Sequence, residues 1–212
     1  SHIRSSVPKA EKNNLDGKHI SILGEIPDIT QNEYGLMTMM QKKGVQIDLD
    51  QTDNTDLCIH FTGNVPNLEK LTELTRDGWD KLVNQFINTP ALVTQKALEH
   101  FVPGGSDDPR KFKDAKGRII IIGPALPAGK KISGHERAKV EVFRGALRPF
   151  ATTVNQELSD VLKSNVRVFL ILPGTVDGKE PNNENIVNTI NYLMSDEAGS
   201  SSEVIFCPDE TR

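Results

Sequence analysis

Gly117-Arg118-Ile119-Ile120-Ile121-Ile122-Gly123-Pro124, followed from residue 133 by Ser133-Gly134-His135-Glu136-Arg137-Ala138-Lys139-Val140-Glu141-Val142-Phe143-Arg144-Gly145, decides how the chain reads. Four consecutive β-branched residues between glycines predict a strand buried on both faces, because a strand with one wet face would alternate apolar with polar side chains. The second stretch begins a helix over residues 133–163, with an interruption expected near Pro149. Strand, short loop and helix form one βα unit, whose helix opens at the strand's carboxyl end, where such folds place their sites.

Further units lie on both sides. Short apolar runs predict strands at residues 19–23, 45–49, 56–61, 166–172 and 203–207. Between them, residues 34–43 place Leu36, Met39 and Met40 on one helical face and end at Gly44 as a C-cap. Trp79, Leu82, Val83, Phe86, Ile87, Val93 and Leu98 recur at helical spacing over 77–100, where Pro90 predicts a kink. A last helix is expected at 185–195. Strands alternating with helices predict an α/β, doubly wound, mostly parallel Rossmann-like sheet with helices on both faces.

The chain has 212 residues and a net charge of -4, enough for one sizeable core and without the clustered basic surface that nucleic acid or an anionic membrane calls for. The domain is expected to span 17–212, after a flexible polar segment at 1–16 whose start reads as a tag remnant. No apolar run approaches the roughly 20 residues of a membrane span. Cys58 and Cys207 each sit inside an apolar run, as small hydrophobes do, which favours a reducing, cytoplasmic setting. No histidine has a second metal ligand at a recognisable spacing, so no metal is expected.

From Leu15 to Pro208 the order of pieces resembles the short-chain dehydrogenase/reductase family. Gly78-Trp79-Asp80 with its helix is similar to the family's long interface helix, and Gly117-Arg118-Ile119-Ile120 to its central strand. Leu172-Pro173-Gly174-Thr175 resembles its Pro-Gly turn, and Tyr192-Leu193-Met194-Ser195-Asp196-Glu197-Ala198 its closing helix and loop. The resemblance implies four chemical parts: a glycine-rich turn, an Asn-Asn-Ala-Gly turn, a Ser-Tyr-Lys set and a supporting asparagine.

Each part is altered here. After the first family strand the chain reads Gly24-Glu25-Ile26-Pro27-Asp28-Ile29-Thr30, keeping one glycine and adding acids where a pyrophosphate should sit. His60-Phe61-Thr62-Gly63 stands at the second turn, again with only its glycine. The space between residues 21 and 56 holds about one βαβ unit, so the resemblance implies the loss of at least one strand-helix pair there. Lys139 matches the family's lysine, whose ammonium lowers the pKa of a tyrosine four residues earlier. That earlier position is His135, the serine position falls at Gly123 or Pro124, and the asparagine becomes Phe86.

The resemblance therefore implies a degenerate, non-catalytic member, similar to the amino-terminal flavodoxin-like remnant of high-molecular-weight 3-oxoacyl-carrier-protein reductases. The expected task is dimerisation or scaffolding of such a reductase or a related fatty-acid or acyl-CoA enzyme. Its partner would be a second copy or an active reductase, docked on the two long helices through Trp79, Leu82, Phe86, Val142 and Phe143. No cofactor is expected. The alternative is a divergent NAD(P)-dependent oxidoreductase holding NADP or NAD through Gly24, Gly63, Pro173, Gly174 and Thr175, with Lys139 and His135 as its acid pair. A third alternative is a module for a small-molecule or acyl ligand.

Overall fold

A computed structural model describes residues 2–4, 12–25, 35–50, 54–65, 70–102, 108–125, 134–174, 183–198 and 203–206. Seven strands form one sheet: β1 (His2–Arg4), β2 (His19–Gly24), β3 (Gln46–Asp48), β4 (Leu57–Phe61), β5 (Lys116–Ile122), β6 (Asn165–Leu172) and β7 (Glu203–Phe206). Their order is β1-β7-β6-β5-β4-β2-β3, and every pairing is parallel. The Rossmann-like layout expected from the sequence is present.

The isoleucine run sits at the centre because both of its faces are covered. Ile120 and Ile122 join Phe169, Ile171 and Ile59 on the side of α1 (Leu36–Gln41) and α5 (Asn183–Leu193). Ile119 and Ile121 join Val168, Leu170 and Cys58 on the side of α3 (Thr89–Phe101) and α4 (Gly134–Gln156). Alternation is still present, but both partners of each alternation are apolar. A third cluster, Leu82, Phe86 and Phe143, fastens α2 (Arg76–Val83) to α4, with Trp79 and Val83 packed against it.

Helix boundaries show where local chemistry acts. Thr75 caps α2 by accepting a bond from Gly78 N at 3.1 Å. Pro90 falls in the first turn of α3, where its missing N–H is tolerated, and a π-type turn at Asn84–Asn88 comes just before it. The helix does not break at Pro149. Both Pro149 and Gly145, four residues before it, face solvent, so the freed carbonyl can reach water. The departure from regular helix comes instead at Glu157–Val161, and Lys163, with φ of 53°, ends it.

Two described parts of the polar lead, residues 2–4 and 12–16, make contacts with the sheet and α5. His2–Arg4 pairs with β7, whose outer edge offers free backbone groups. From Lys12 onward the lead is anchored: Leu15 is fully buried, Asn14 N donates to Asn191 Oδ1 at 2.7 Å, and Asn191 Nδ2 donates to Lys12 O at 2.9 Å. Side-chain amides bonded to backbone supply what the scarce apolar residues do not.

Candidate functional site

Chain direction reverses between β2 and β4: from β2 the chain moves outward to β3, then returns to the other side of β2. A crevice opens at the carboxyl ends of strands at such a point, and ligands of open α/β sheets bind there. Only α1 and β3 intervene among the described residues, which agrees with the single unit read from the sequence.

Gly24 ends β2 with φ of +92°, and an added Cβ would stand 2.1 Å from Phe61 O and 2.9 Å from the His60 ring. Close contact with β4 alone therefore requires the glycine. Gly63, with φ of +78°, lies against protein as well: a Cβ there would be 2.3 Å from Glu25 Oε2 and 3.0 Å from Gln85 Nε2. Gln85 Nε2 donates to Thr62 O at 2.8 Å, and Glu25 N donates to Phe61 O at 3.1 Å. The carboxylate of Glu25 thus packs on Gly63. A pyrophosphate placed there would meet negative charge instead of free backbone N–H groups.

His60 is buried, and neither ring nitrogen has a well-formed hydrogen bond among the described residues. Burial pushes its pKa down to about 4, with the backbone of Leu23 opposing in part, so the imidazole is neutral near pH 7. Cys58, two residues earlier on the same face, has its thiol pushed up to about 12 by burial. Neither group is poised for nucleophilic or proton-transfer chemistry.

Around the second half of the crevice, Lys139 is 2% exposed and its Nζ has no hydrogen-bond partner among the described residues. No tyrosine among the described residues stands beside it. The chain contains two tyrosines, and Tyr192 belongs to α5 in the core on the other side of the sheet, while Tyr34 lies outside the described residues. At Gly123 a Cβ would come within 2.7 Å of Leu172 Cδ2 and 3.1 Å of Leu147 Cδ1, so apolar packing occupies the place of a serine side chain. Phe86 is fully buried with its ring centroid 5.0 Å from that of Phe143. The side chain of His135 and all of Thr175 lie outside the described residues.

Sequence reasoning missed Arg144. Buried to 3% exposure, it donates from Nη1 to Pro124 O at 2.8 Å and to Pro173 O at 2.6 Å, tying the loops after β5 and β6 together. Asn64 Oδ1 accepts from Ala125 N at 3.1 Å and joins the loop after β4 to the same rim. The available signal was an arginine on a helix turn otherwise facing apolar strands. Pro173 and Gly174 are buried in this rim.

The five proposed interface residues do not form one surface. Leu82, Phe86 and Phe143 are 5%, 0% and 0% exposed within the chain's own third cluster, because the helix pair packs internally through them. Trp79 packs against the same cluster, 5.5 Å from Phe143, and only Val142 is substantially exposed. Ile87 and Leu92 are the exposed apolar residues the sequence reading left out of that surface. Among the described residues there is no group of three or more possible metal ligands, and no helix is long and apolar enough to cross a membrane.

No protein-family model matches the sequence, and no curated protein matches it. Solved structures do match. A short-chain dehydrogenase/reductase from Serratia marcescens superposes with a TM-score of 0.65 at 16% identity, over 92% of this chain and 97% of that one. The fold is that of the short-chain dehydrogenases and reductases. A 3-ketoacyl-(acyl-carrier-protein) reductase from Brucella melitensis, complexed with NADH, gives 0.65 at 13% identity over 91% and 97%. An enoyl-[acyl-carrier-protein] reductase (NADH) from Aquifex aeolicus gives 0.63 at 16% over 93% and 97%.

Proposed function

We propose that this chain is a degenerate, non-catalytic domain with the short-chain reductase fold, acting in dimerisation or scaffolding of a 3-oxoacyl reductase or a related fatty-acid or acyl-CoA enzyme in the cytoplasm. The observation that carries it is Lys139: a lysine in the reductase position with His135 four residues earlier and no tyrosine near it among the described residues, so that the helix supplies no phenol to deliver a proton. Glu25 on Gly63 and the leucine packing at Gly123 support the same reading from the cofactor and substrate sides. The partner is a second copy or an active reductase, received where Ile87 in the π-type turn, Leu92 on α3 and Val142 on α4 are exposed.

Titration with NADH and NADPH, read as a thermal shift, tests the non-catalytic half. True binding at 100 times the dissociation constant stabilises a fold by about 2.7 kcal/mol; the expected result is no shift at millimolar cofactor. Stabilisation of that size would instead favour a divergent NAD(P)-dependent oxidoreductase. That second reading draws on the retained Lys139 and on the NADH complex of the Brucella melitensis reductase, whose fold this chain shares.

A further inference from the structure

All four methionines of the chain, Met37, Met39, Met40 and Met194, lie in or against one hydrophobic cluster, the one that covers the sheet on the side of α1 and α5. Three of them belong to α1, a helix of six residues, and the fourth directly follows α5, which packs on α1. Met40 is fully buried, whereas Met37, Met39 and Met194 are half-buried. A helix this short is marginal without tertiary packing. Among the described residues no side chain caps its start, and neither an acid in its first turn nor a base in its last supports it. Apolar contact of Leu36 and the methionines therefore holds α1 on the sheet. A thioether is also a side chain whose packing a mild oxidant changes, because its sulfoxide is polar. The other sulfur among the described residues is shielded: Cys58 is fully buried with its thiol pushed up to about 12, which leaves almost no reactive thiolate.

We propose that Met37 and Met39 form a site of reversible sulfoxidation, taking hydrogen peroxide as oxidant, and that their conversion releases α1 from the sheet. The sulfur lone pair attacks one peroxide oxygen, and an S–O bond forms while the O–O bond breaks. Sulfur is oxidised by two electrons, the peroxide is reduced, and the departing hydroxide takes the proton of the transferred oxygen and leaves as water. Exposure sets the order, with Met37 and Met39 reacting ahead of Met40. Each new S=O group then needs water where the thioether was packed against the cluster. α1 meets that need by lifting, since it carries no charged side chain and no cap to resist. Reversal takes two thiols, which join in a disulfide as the oxygen leaves in water. The site needs no cofactor and no partner, so it stands apart from the scaffolding role.

Graded hydrogen peroxide treatment of the full chain, followed by peptide mass mapping and thermal melts, tests the site. Sulfoxide should appear at Met37 and Met39 before Met40, and the melting temperature should then fall by about 4–8 °C. Hydrogen exchange should rise in α1 and β3 and stay unchanged in α4. Treatment with methionine sulfoxide reductases A and B, which between them reduce both epimers, should restore the parent melt. The double variant Met37→Leu, Met39→Leu conserves volume, so it should fold as the parent does and lose the response to peroxide. Met40→Leu should keep it. Met40 reacting as fast as the other two, an unchanged melt once both are converted, a loss that survives in the double variant, or a loss that the reductases leave in place would each overturn the site. The mapping and the reductase arm use the parent alone, so they decide the matter even where the double variant folds poorly.

Discussion

On one side of the switch point the sheet is deep: β4, β5 and β6 have five, seven and eight residues, and their covering helix α4 has 23. On the other side β2 has six residues, β3 has three that are at best half-buried, and α1 has six. The deep side carries Lys139, the Pro173-Gly174 turn and the helix pair; the shallow side is where a dinucleotide fold builds its adenosine wall. Central strands buried on both faces hold the fold together, so the outer unit can shorten without unfolding the rest.

The sharpest way to break that comparison is to remove one large core side chain from each side. Phe143→Ala, in the cluster that joins α2 to α4, should cost about 4 kcal/mol, and Met40→Ala, under the shallow side, about 3 kcal/mol. Urea unfolding measures both. A reversed order would mean that the short unit, and not the helix pair, is the better-packed part.

A pH titration comes next, because His60 sits where the two sides meet. Its pKa is about 4 in the fold against an ordinary 6.5, so the unfolded chain takes up a proton that the folded one refuses. Stability should be full above pH 6.5, fall between pH 6.5 and 4 by about 3 kcal/mol, and level off below. His60→Leu should flatten that window. A slope that survives the substitution would assign the acid sensitivity to other groups.

Arg144→Met probes the rim of the deep side. Two carbonyls, on Pro124 and Pro173, lose their guanidinium partner, at an expected cost of about 2 kcal/mol. Hydrogen exchange should rise in the loops after β5 and β6 and stay unchanged after β2. Uniform loosening of all three loops would show that the rim is one cooperative unit rather than two.

Periodicity made the deep side legible. An unbroken β-branched run has few homes other than a central parallel strand, and helical spacing of Trp79, Leu82, Val83 and Phe86 located the second helix face. What periodicity could not supply was direction. Phe86 and Phe143 look the same in sequence whether they meet each other or a partner, and the structure turns them inward. Pro149 misled because a proline breaks a helix only when the freed carbonyl has no outlet, and here it has solvent. The contacts at 12–17 were illegible for a different reason: Asn14 and Asn191 are separated by most of the chain, and no local signal announces side-chain amides that bond to each other's backbone. Arg144 was hidden likewise, since its partners are backbone carbonyls of two distant loops.

The smallest expected effect on the folded chain is the most informative about the two sides. Leu92 and Val142, on the helix pair, are 63% and 49% exposed, and Leu49, just after β3, is 58% exposed. Lysine at any of the three should change the stability of the single chain by no more than about 0.5 kcal/mol, because little is packed there to lose. Self-association should respond unequally. If the helix pair receives the partner, Leu92→Lys and Val142→Lys weaken association by light scattering while Leu49→Lys leaves it intact, since a charge is costly only where the docked surface excludes water. A charge at Leu82 would be a poor substitute, because at 5% exposure it would unfold the third cluster before it tested any interface. Dissociation by Leu49→Lys alone would move the interface to the shallow edge and leave the helix pair of the deep side with a packing role only.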